Sequence, residues 1–200
     1  SPGASETASR YSKVPIINAG DGNGEHPTQA LLDLYTIFAK FKDKKITVSM
    51  VGDLANGRTI HSLSMLLSLY KDVKLIFVSP KALEIPSTLR EHLKNKNVNF
   101  SEVTTLNEVL SASDVVYQTR IQKERFKSEN EYLKYSGTFV IDKSSLSLMK
   151  KHAIVMHPLP RVKEISAEVD SDPRAAYFEQ VQNGLFVRMA LLIYLFDKTR

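Results

Sequence analysis

Four short stretches of this chain carry residue types that could bind and polarise small anions. The first is Gly52-x-x-x-x-Gly57-Arg58-Thr59, a glycine-bounded turn with a guanidinium at the start of an expected helix. Arginine in a first turn opposes the helix dipole, so it asks for an anionic partner. The second is Thr119-Arg120-Ile121-Gln122-Lys123-Glu124-Arg125. A guanidinium is a planar fork that takes carboxylate or phosphate through paired hydrogen bonds. Glu124, four residues after Arg120, could hold that fork in one orientation, with Arg125 beside it as a further support. The third is His26-Pro27-Thr28-Gln29. Pro27 suits the first helical position and puts His26 at or near the cap. A neutral imidazole there could donate to a carbonyl oxygen and polarise it. The preceding Asn18–Gly24 has three glycines in seven residues, which lets a backbone or ligand approach closely. The fourth is His157-Pro158-Leu159-Pro160-Arg161, where two prolines stiffen the backbone and remove two N–H donors. The remaining carbonyls could accept from an ammonium or amide. Each stretch also has a plainer reading: a capped turn, a solvated basic loop, a capping histidine, a stiff strand exit.

Other chemistries fit poorly. A nucleotide P-loop needs lysine where Arg58 stands, and Asp53 puts a negative charge inside the cradle. The dinucleotide pattern Gly-x-Gly-x-x-Gly is absent. No cysteine is present, and the five histidines lack helical ligand spacing, so neither metal nor other cofactor is expected. The net charge of +5 comes from 27 basic and 22 acidic residues spread along the chain, with no run of five like charges. That distribution favours small anions over nucleic acid.

The elements that must position these stretches alternate. Apolar strands are expected at Ile46–Val51, Val73–Val78, Val98–Val103, Asp114–Gln118, Thr138–Ile141 and Ala153–Met156. A helix from Gly57, capped by Asn56, carries Ile60, Leu63, Leu66, Leu67 and Tyr70 on one face. Pro86 opens another, and Thr105–Glu108 reads as a capping box. Such alternation predicts an α/β fold: a doubly wound, mostly parallel sheet with helices on both faces. Ligands in such sheets bind outside the carboxyl ends of the strands, where the strand order reverses. The four stretches fall there or at a helix start. Two hundred residues suffice for a sizeable core. The polar opening and the short apolar run Ala190–Phe196 predict a soluble, cytoplasmic protein away from membranes. The last helix, about Leu185–Phe196, is apolar nearly all round and should pack against something outside the chain.

Taken together, the motifs resemble the aspartate carbamoyltransferases. The resemblance runs through Asn18–Gly22, His26–Leu34, Val51–Leu54, Gly57–Thr59, Thr119–Arg125, His157–Arg161 and Asp170–Phe178, in order over essentially the whole chain. The ornithine-specific sister family has a cysteine where Pro158 stands and recognises an ammonium, which Arg120 would repel. The resemblance implies carbamoyl phosphate and L-aspartate as substrates and a homotrimer as the assembly. It implies that His26 supports the carbonyl oxygen of carbamoyl phosphate and Gln29 orients the carbamoyl amide. Arg58, with Thr59, would grip the α-carboxylate of aspartate, and Arg120, with Gln122, the β-carboxylate. The backbone of Pro158, Leu159 and Pro160 would contact the carbamoyl nitrogen and the attacking amine.

The phosphate-binding Ser-x-Arg-Thr-Arg motif of that family is not in these 200 residues. The expected organisation is the end of a carbamoyl phosphate domain plus a linking helix over 1–35, an aspartate-binding domain over 36–182, and a returning C-terminal helix over 183–200. These residues alone are therefore expected to bind aspartate weakly and turn over nothing; a sensitive assay for carbamoyl aspartate should read zero on the isolated chain.

Overall fold

A computed structural model describes residues 3–22, 24–42, 44–121, 126 and 128–198. Helix α1 (Ala4–Tyr11) is followed by the glycine-rich loop and by α2 (Pro27–Phe41), with Pro27 in its first turn and His26 at its cap. The alternating units come next: β1 (Ile46–Val51), α3 (Arg58–Leu67), β2 (Val73–Val78), α4 (Ser87–Asn95) and β3 (Asn99–Val103). The chain then crosses back through α5 (Asn107–Leu110) to β4 (Val115–Gln118). It continues through α6 (Glu129–Leu133) and α7 (Lys143–Leu148) to β5 (Ile154–Met156), and ends in α8 (Tyr177–Lys198).

The five strands lie in the order β3-β2-β1-β4-β5, all parallel. The order reverses between β1 and β4, so the crevice at their carboxyl ends is the expected ligand position. Both faces are covered. On one, Ile60 and Leu63 of α3, Leu89 and Leu93 of α4, and Ile37 and Phe41 of α2 pack on Val48, Met50, Val115 and Tyr117. On the other, Val109, Leu110, Leu146 and Val169 pack on Val51, Ile76, Val116 and Val155. Successive strand residues point to opposite faces, which is why Tyr117 belongs to one core and Val116 to the other. A sheet buried on both sides reads as largely apolar runs, as β1, β2, β4 and β5 do, whereas the edge strand β3 mixes polar and apolar residues and is only partly buried.

The sequence predicts six strands, and the described residues form five. Thr138–Ile141 is not one of them. The edge of β4 is taken by β5, in register Val115 with Ile154 and Tyr117 with Met156, so the segment does not pair there. Phe139 and Ile141 still point inward, and Ile141 makes a single bridge to Ile165. Asp142 then ends the segment by capping α7, accepting from the Ser145 N–H at 2.8 Å. Three helix starts also differ. The cap of α3 is Gly57, because the Asn56 side chain is turned back to the Asp53 carboxylate. Leu106, not Thr105, precedes α5, with no side-chain cap. Pro86 lies just outside α4.

Helix α8 begins at Tyr177, eight residues before the apolar run that announces it. Its first turns carry the buried polar residues Gln180 and Asn183, which bond to α2 through Asp33 and Thr36. Beyond them Leu185, Phe186, Met189, Leu192 and Ile193 are all exposed, in line with the expected unmet packing.

Gly52 ends β1 with φ of 124°, and a Cβ there would stand 2.5 Å from the Thr119 carbonyl oxygen. Only glycine allows the β1 and β4 exits to approach this closely. Gly52→Ala is expected to lower the unfolding free energy by about 2 kcal/mol, the scale of a strained backbone position, in urea titration.

Candidate active site

The two strand exits open into one cavity of about 300 Å³. Arg58 and Thr59 from the start of α3 and Arg120 from the exit of β4 line it, with His26 and Gln29 from α2 and Pro158, Leu159 and Pro160 after β5. The structure therefore brings together all eight of these sequence-predicted residues. Gln122, Glu124 and Arg125 lie outside the described residues.

Arg58 is placed by the glycine-rich loop. Its Nη1 donates to the Gly22 carbonyl at 2.9 Å, and a Cβ on Gly20 would lie 3.1 Å from the same nitrogen. The close approach foreseen for that loop is thus made by the guanidinium. His26 is half-buried; its backbone N–H donates to Ser62 Oγ at 2.9 Å, and Ser62 in turn donates to the Glu25 carboxylate. Its imidazole Nδ1 is buried with no hydrogen-bond partner. Burial first, and the Arg58 and Arg188 cations after it, push the imidazole down to about 4. At neutral pH it is therefore an uncharged ring that can donate one N–H without bringing a formal charge.

His157 behaves differently. It is fully buried, and its Nδ1 accepts from the Leu159 N–H at 2.8 Å while Nε2 meets Glu164 Oε1 at 2.9 Å. Since Nδ1 accepts, the proton sits on Nε2 and is donated to the carboxylate. The ring thus holds the backbone of the third wall. Leu159 has φ of 52°, a conformation costing a non-glycine residue roughly 1–2 kcal/mol, and the His157 contact helps keep it there. The peptide Leu159-Pro160 is cis. Arg161 then turns away: it pairs with the Asp170 carboxylate and stacks 5.3 Å over the Tyr177 ring.

Sequence reasoning missed Asp53 as a wall of the cavity. It saw only a charge hostile to phosphate. Asp53 is buried, and its Oδ1 accepts from the Asn56 N–H at 3.0 Å, which closes the turn that presents Arg58. It also missed a polar cluster behind the site. Asp33, Tyr117 and Gln180 are completely or almost completely buried, and the latter two both donate hydrogen bonds to the Asp33 carboxylate. Burial pushes the Asp33 carboxyl up to about 7, against the donors around it. The signal was available in Asp33, an acid four residues after Gln29 in an otherwise apolar stretch of helix.

The arrangement offers two guanidinium groups, a neutral imidazole, an amide and a rigid backbone edge around one small polar space. Comparison with known proteins decides the family. The Asp/Orn binding domain of aspartate/ornithine carbamoyltransferase matches residues 44–195, and the carbamoyl-P binding domain matches residues 1–39. The chain belongs to the aspartate/ornithine carbamoyltransferase family. It is 54% identical to the chloroplastic aspartate carbamoyltransferase of Arabidopsis thaliana over 95% of the chain and 49% of that protein. Among solved structures, the catalytic subunit of M. jannaschii aspartate transcarbamoylase superposes with a TM-score of 0.91 at 50% identity, covering 99% of this chain and 64% of that one. Aspartate transcarbamoylase from Trypanosoma cruzi, in complex with N-(phosphonacetyl)-L-aspartic acid, gives 0.88 at 44% identity, covering 95% and 62%. The chain thus spans about half the length of the Arabidopsis member and under two thirds of the two solved members.

The depressed imidazole is directly measurable. In ligand-free protein the ring C–H signals of His26 should titrate near pH 4, well below the ordinary value of about 6.5. A midpoint near 6.5 in an NMR titration contradicts the burial and cation proximity described above.

Proposed function

We propose that the intact protein transfers the carbamoyl group of carbamoyl phosphate to the amine of L-aspartate. The amine lone pair attacks the carbamoyl carbon, the bond from that carbon to the bridging oxygen breaks, phosphate leaves with the electron pair, and one amine proton passes to the departing phosphate. The products are N-carbamoyl-L-aspartate and phosphate, the carbamoyl transfer of pyrimidine biosynthesis. The single observation that carries the reading is Arg58 and Arg120 on neighbouring strand exits, lining one cavity with His26 and the Pro158–Pro160 backbone.

The roles assigned here are those the family resemblance implies, and the shared cavity lining supports them. Arg58, anchored on the Gly22 carbonyl and backed by Thr59, takes the α-carboxylate of aspartate. Arg120 takes the β-carboxylate, a role in which the sequence motif also enlists Gln122, Glu124 and Arg125. Neutral His26 donates to the carbamoyl oxygen and stabilises the charge that develops there as the tetrahedral centre forms. Gln29 orients the carbamoyl amide, and the Pro158, Leu159 and Pro160 backbone meets the carbamoyl nitrogen and the incoming amine. Carbamoyl phosphate is already activated, so positioning two mutually repelling anions supplies much of the rate. The presence of Pro158 and the cation at Arg120 both favour aspartate over ornithine as acceptor.

Residues 1–35 and 183–200 are assigned to the carbamoyl phosphate domain, as its closing stretch with the linking helix and as its returning helix. The exposed apolar side chains Leu185, Phe186, Met189, Leu192 and Ile193 support that packing. We assign a homotrimer to the intact protein on the resemblance of the motifs. We place it in the cytoplasm; a chloroplastic setting like that named for the Arabidopsis relative is the alternative. No described helix is long and apolar enough to cross a membrane.

The test is steady-state kinetics on the full-length protein with aspartate and ornithine as acceptors. Wild type should use aspartate alone. Arg120→Ala should lose on the order of 10²-fold or more in kcat/KM for aspartate, the scale for truncating one partner of a desolvated charge pair, with KM for carbamoyl phosphate nearly unchanged. Normal use of aspartate by that variant means the clamp is wrongly assigned.

A further inference from the structure

Asp33 sits in the middle of α2 and is completely buried. Its Oδ1 accepts from Gln29 Nε2 at 2.9 Å and from Gln180 Nε2 at 2.6 Å, and its Oδ2 accepts from the Tyr117 hydroxyl at 2.7 Å. These donors come from three elements, α2, α8 and β4, and each leads to a different wall of the cavity. Gln29 lines it directly. Thr59, next to Arg58, lies beside the Tyr117 hydroxyl. Gln180 uses its other end, Oε1, to accept from the His157 N–H at 3.0 Å, where the Pro158–Pro160 edge begins. One carboxyl thus stands one hydrogen bond behind Gln29 and two steps behind the Thr59 and His157 sides of the cavity.

The consequence is sharpest for Gln29. A carboxamide has nearly the same shape either way round, but one end donates and the other accepts. Oδ1 of Asp33 can only accept from Gln29, so Nε2 must turn inward. The amide oxygen is left as the end available to a ligand N–H. A carbamoyl group presents its NH₂ as donor, so this orientation is the one that can bind it; the opposite orientation sets donor against donor. The arrangement also survives protonation of Asp33. A proton on Oδ2 can be donated to the Tyr117 oxygen while the Tyr117 hydroxyl turns to Thr59, and Oδ1 goes on accepting from Gln29.

We propose that Asp33 is a positioning residue for carbamoyl transfer, its Oδ1 fixing the Gln29 amide with the oxygen toward the carbamoyl NH₂. The proposal rests on the carbamoyl-transfer reading given above and names a residue that acts through Gln29 without touching substrate.

The experiment is a double-mutant cycle in the full-length enzyme, reading kcat, KM for carbamoyl phosphate, KM for aspartate and thermal unfolding. Asp33→Ala is expected to lower kcat/KM for carbamoyl phosphate about tenfold or more, the scale of one lost oriented hydrogen bond, with KM for aspartate within threefold. In a Gln29→Ala background the same change should cost less than twofold, because the group it acts through is gone. Asp33→Asn keeps an oxygen able to accept from Gln29 and should stay within threefold of wild type. The assignment is overturned if Asp33→Ala is within twofold of wild type, or if it costs the same factor with and without Gln29. A loss of tenfold or more in Asp33→Asn also overturns it, since charge and not amide orientation would then be what matters. Should Asp33→Ala fail to fold, Asp33→Ser is read by the same criteria; if neither folds, Asp33 is a folding element and the assignment is withdrawn. Wild-type enzyme that does not carbamoylate aspartate defeats the underlying reading, whereas active wild type with an indifferent Asp33→Ala defeats only this inference.

Discussion

Two parallel strands, β1 and β4, lie side by side although β2 and β3 come between them in sequence. Their connections leave toward opposite edges of the sheet, so no crossover closes over their shared carboxyl end. The gap is narrowed by one backbone contact, Gly52 against the Thr119 carbonyl, which the absent side chain of Gly52 permits. Every proposed ligand-binding group is referenced to that point. Arg58 is six residues after Gly52, and Arg120 directly follows Thr119. The α2 residues and the Pro158–Pro160 edge complete the walls. If these two exits separated, the guanidinium groups would no longer face one space, whatever the rest of the sheet did.

The electrostatics of the site follow from how its cations are held. Arg90, Arg161 and Arg174 are each paired with a carboxylate and act as struts. Arg58 instead rests on a backbone carbonyl, which orients it without neutralising it. A preformed cationic pocket is costly to the empty protein and favourable once dianions enter, since the repulsion between cations is then relieved. Burial, with that field behind it, keeps His26 uncharged. In the proposed reaction its N–H would therefore reach an oxyanion from a ring that has not already been drawn into an ion pair.

Much of this was legible in the residues. Strands buried on both faces read as apolar runs, and the ends of those runs located the cavity-lining loops to within a residue or two. What misled was local pattern without knowledge of partners. Phe139 and Ile141 alternate as in a strand because both are buried, yet the place beside β4 is taken by β5. Asn56 has the chemistry of a helix cap but is claimed by Asp53. The start of α8 was hidden because Gln180 and Asn183 look like surface residues, and only the fold supplies the Asp33 and Thr36 that satisfy them. Buried polar networks join residues far apart in sequence, so no window of the chain displays them.

That last feature bears on how the protein is made. The bonds from Gln180 to Asp33 and from Asn183 to Thr36 each span 147 residues. While a ribosome is still extending the chain, α2 has its acidic centre and the apolar surface around it with no cover. The sheet can form behind it, but synthesis must pass residue 183 before α8 can shield that carboxyl. Until then this face of α2 stays uncovered, and nascent chains stalled before residue 180 would be natural clients for chaperones.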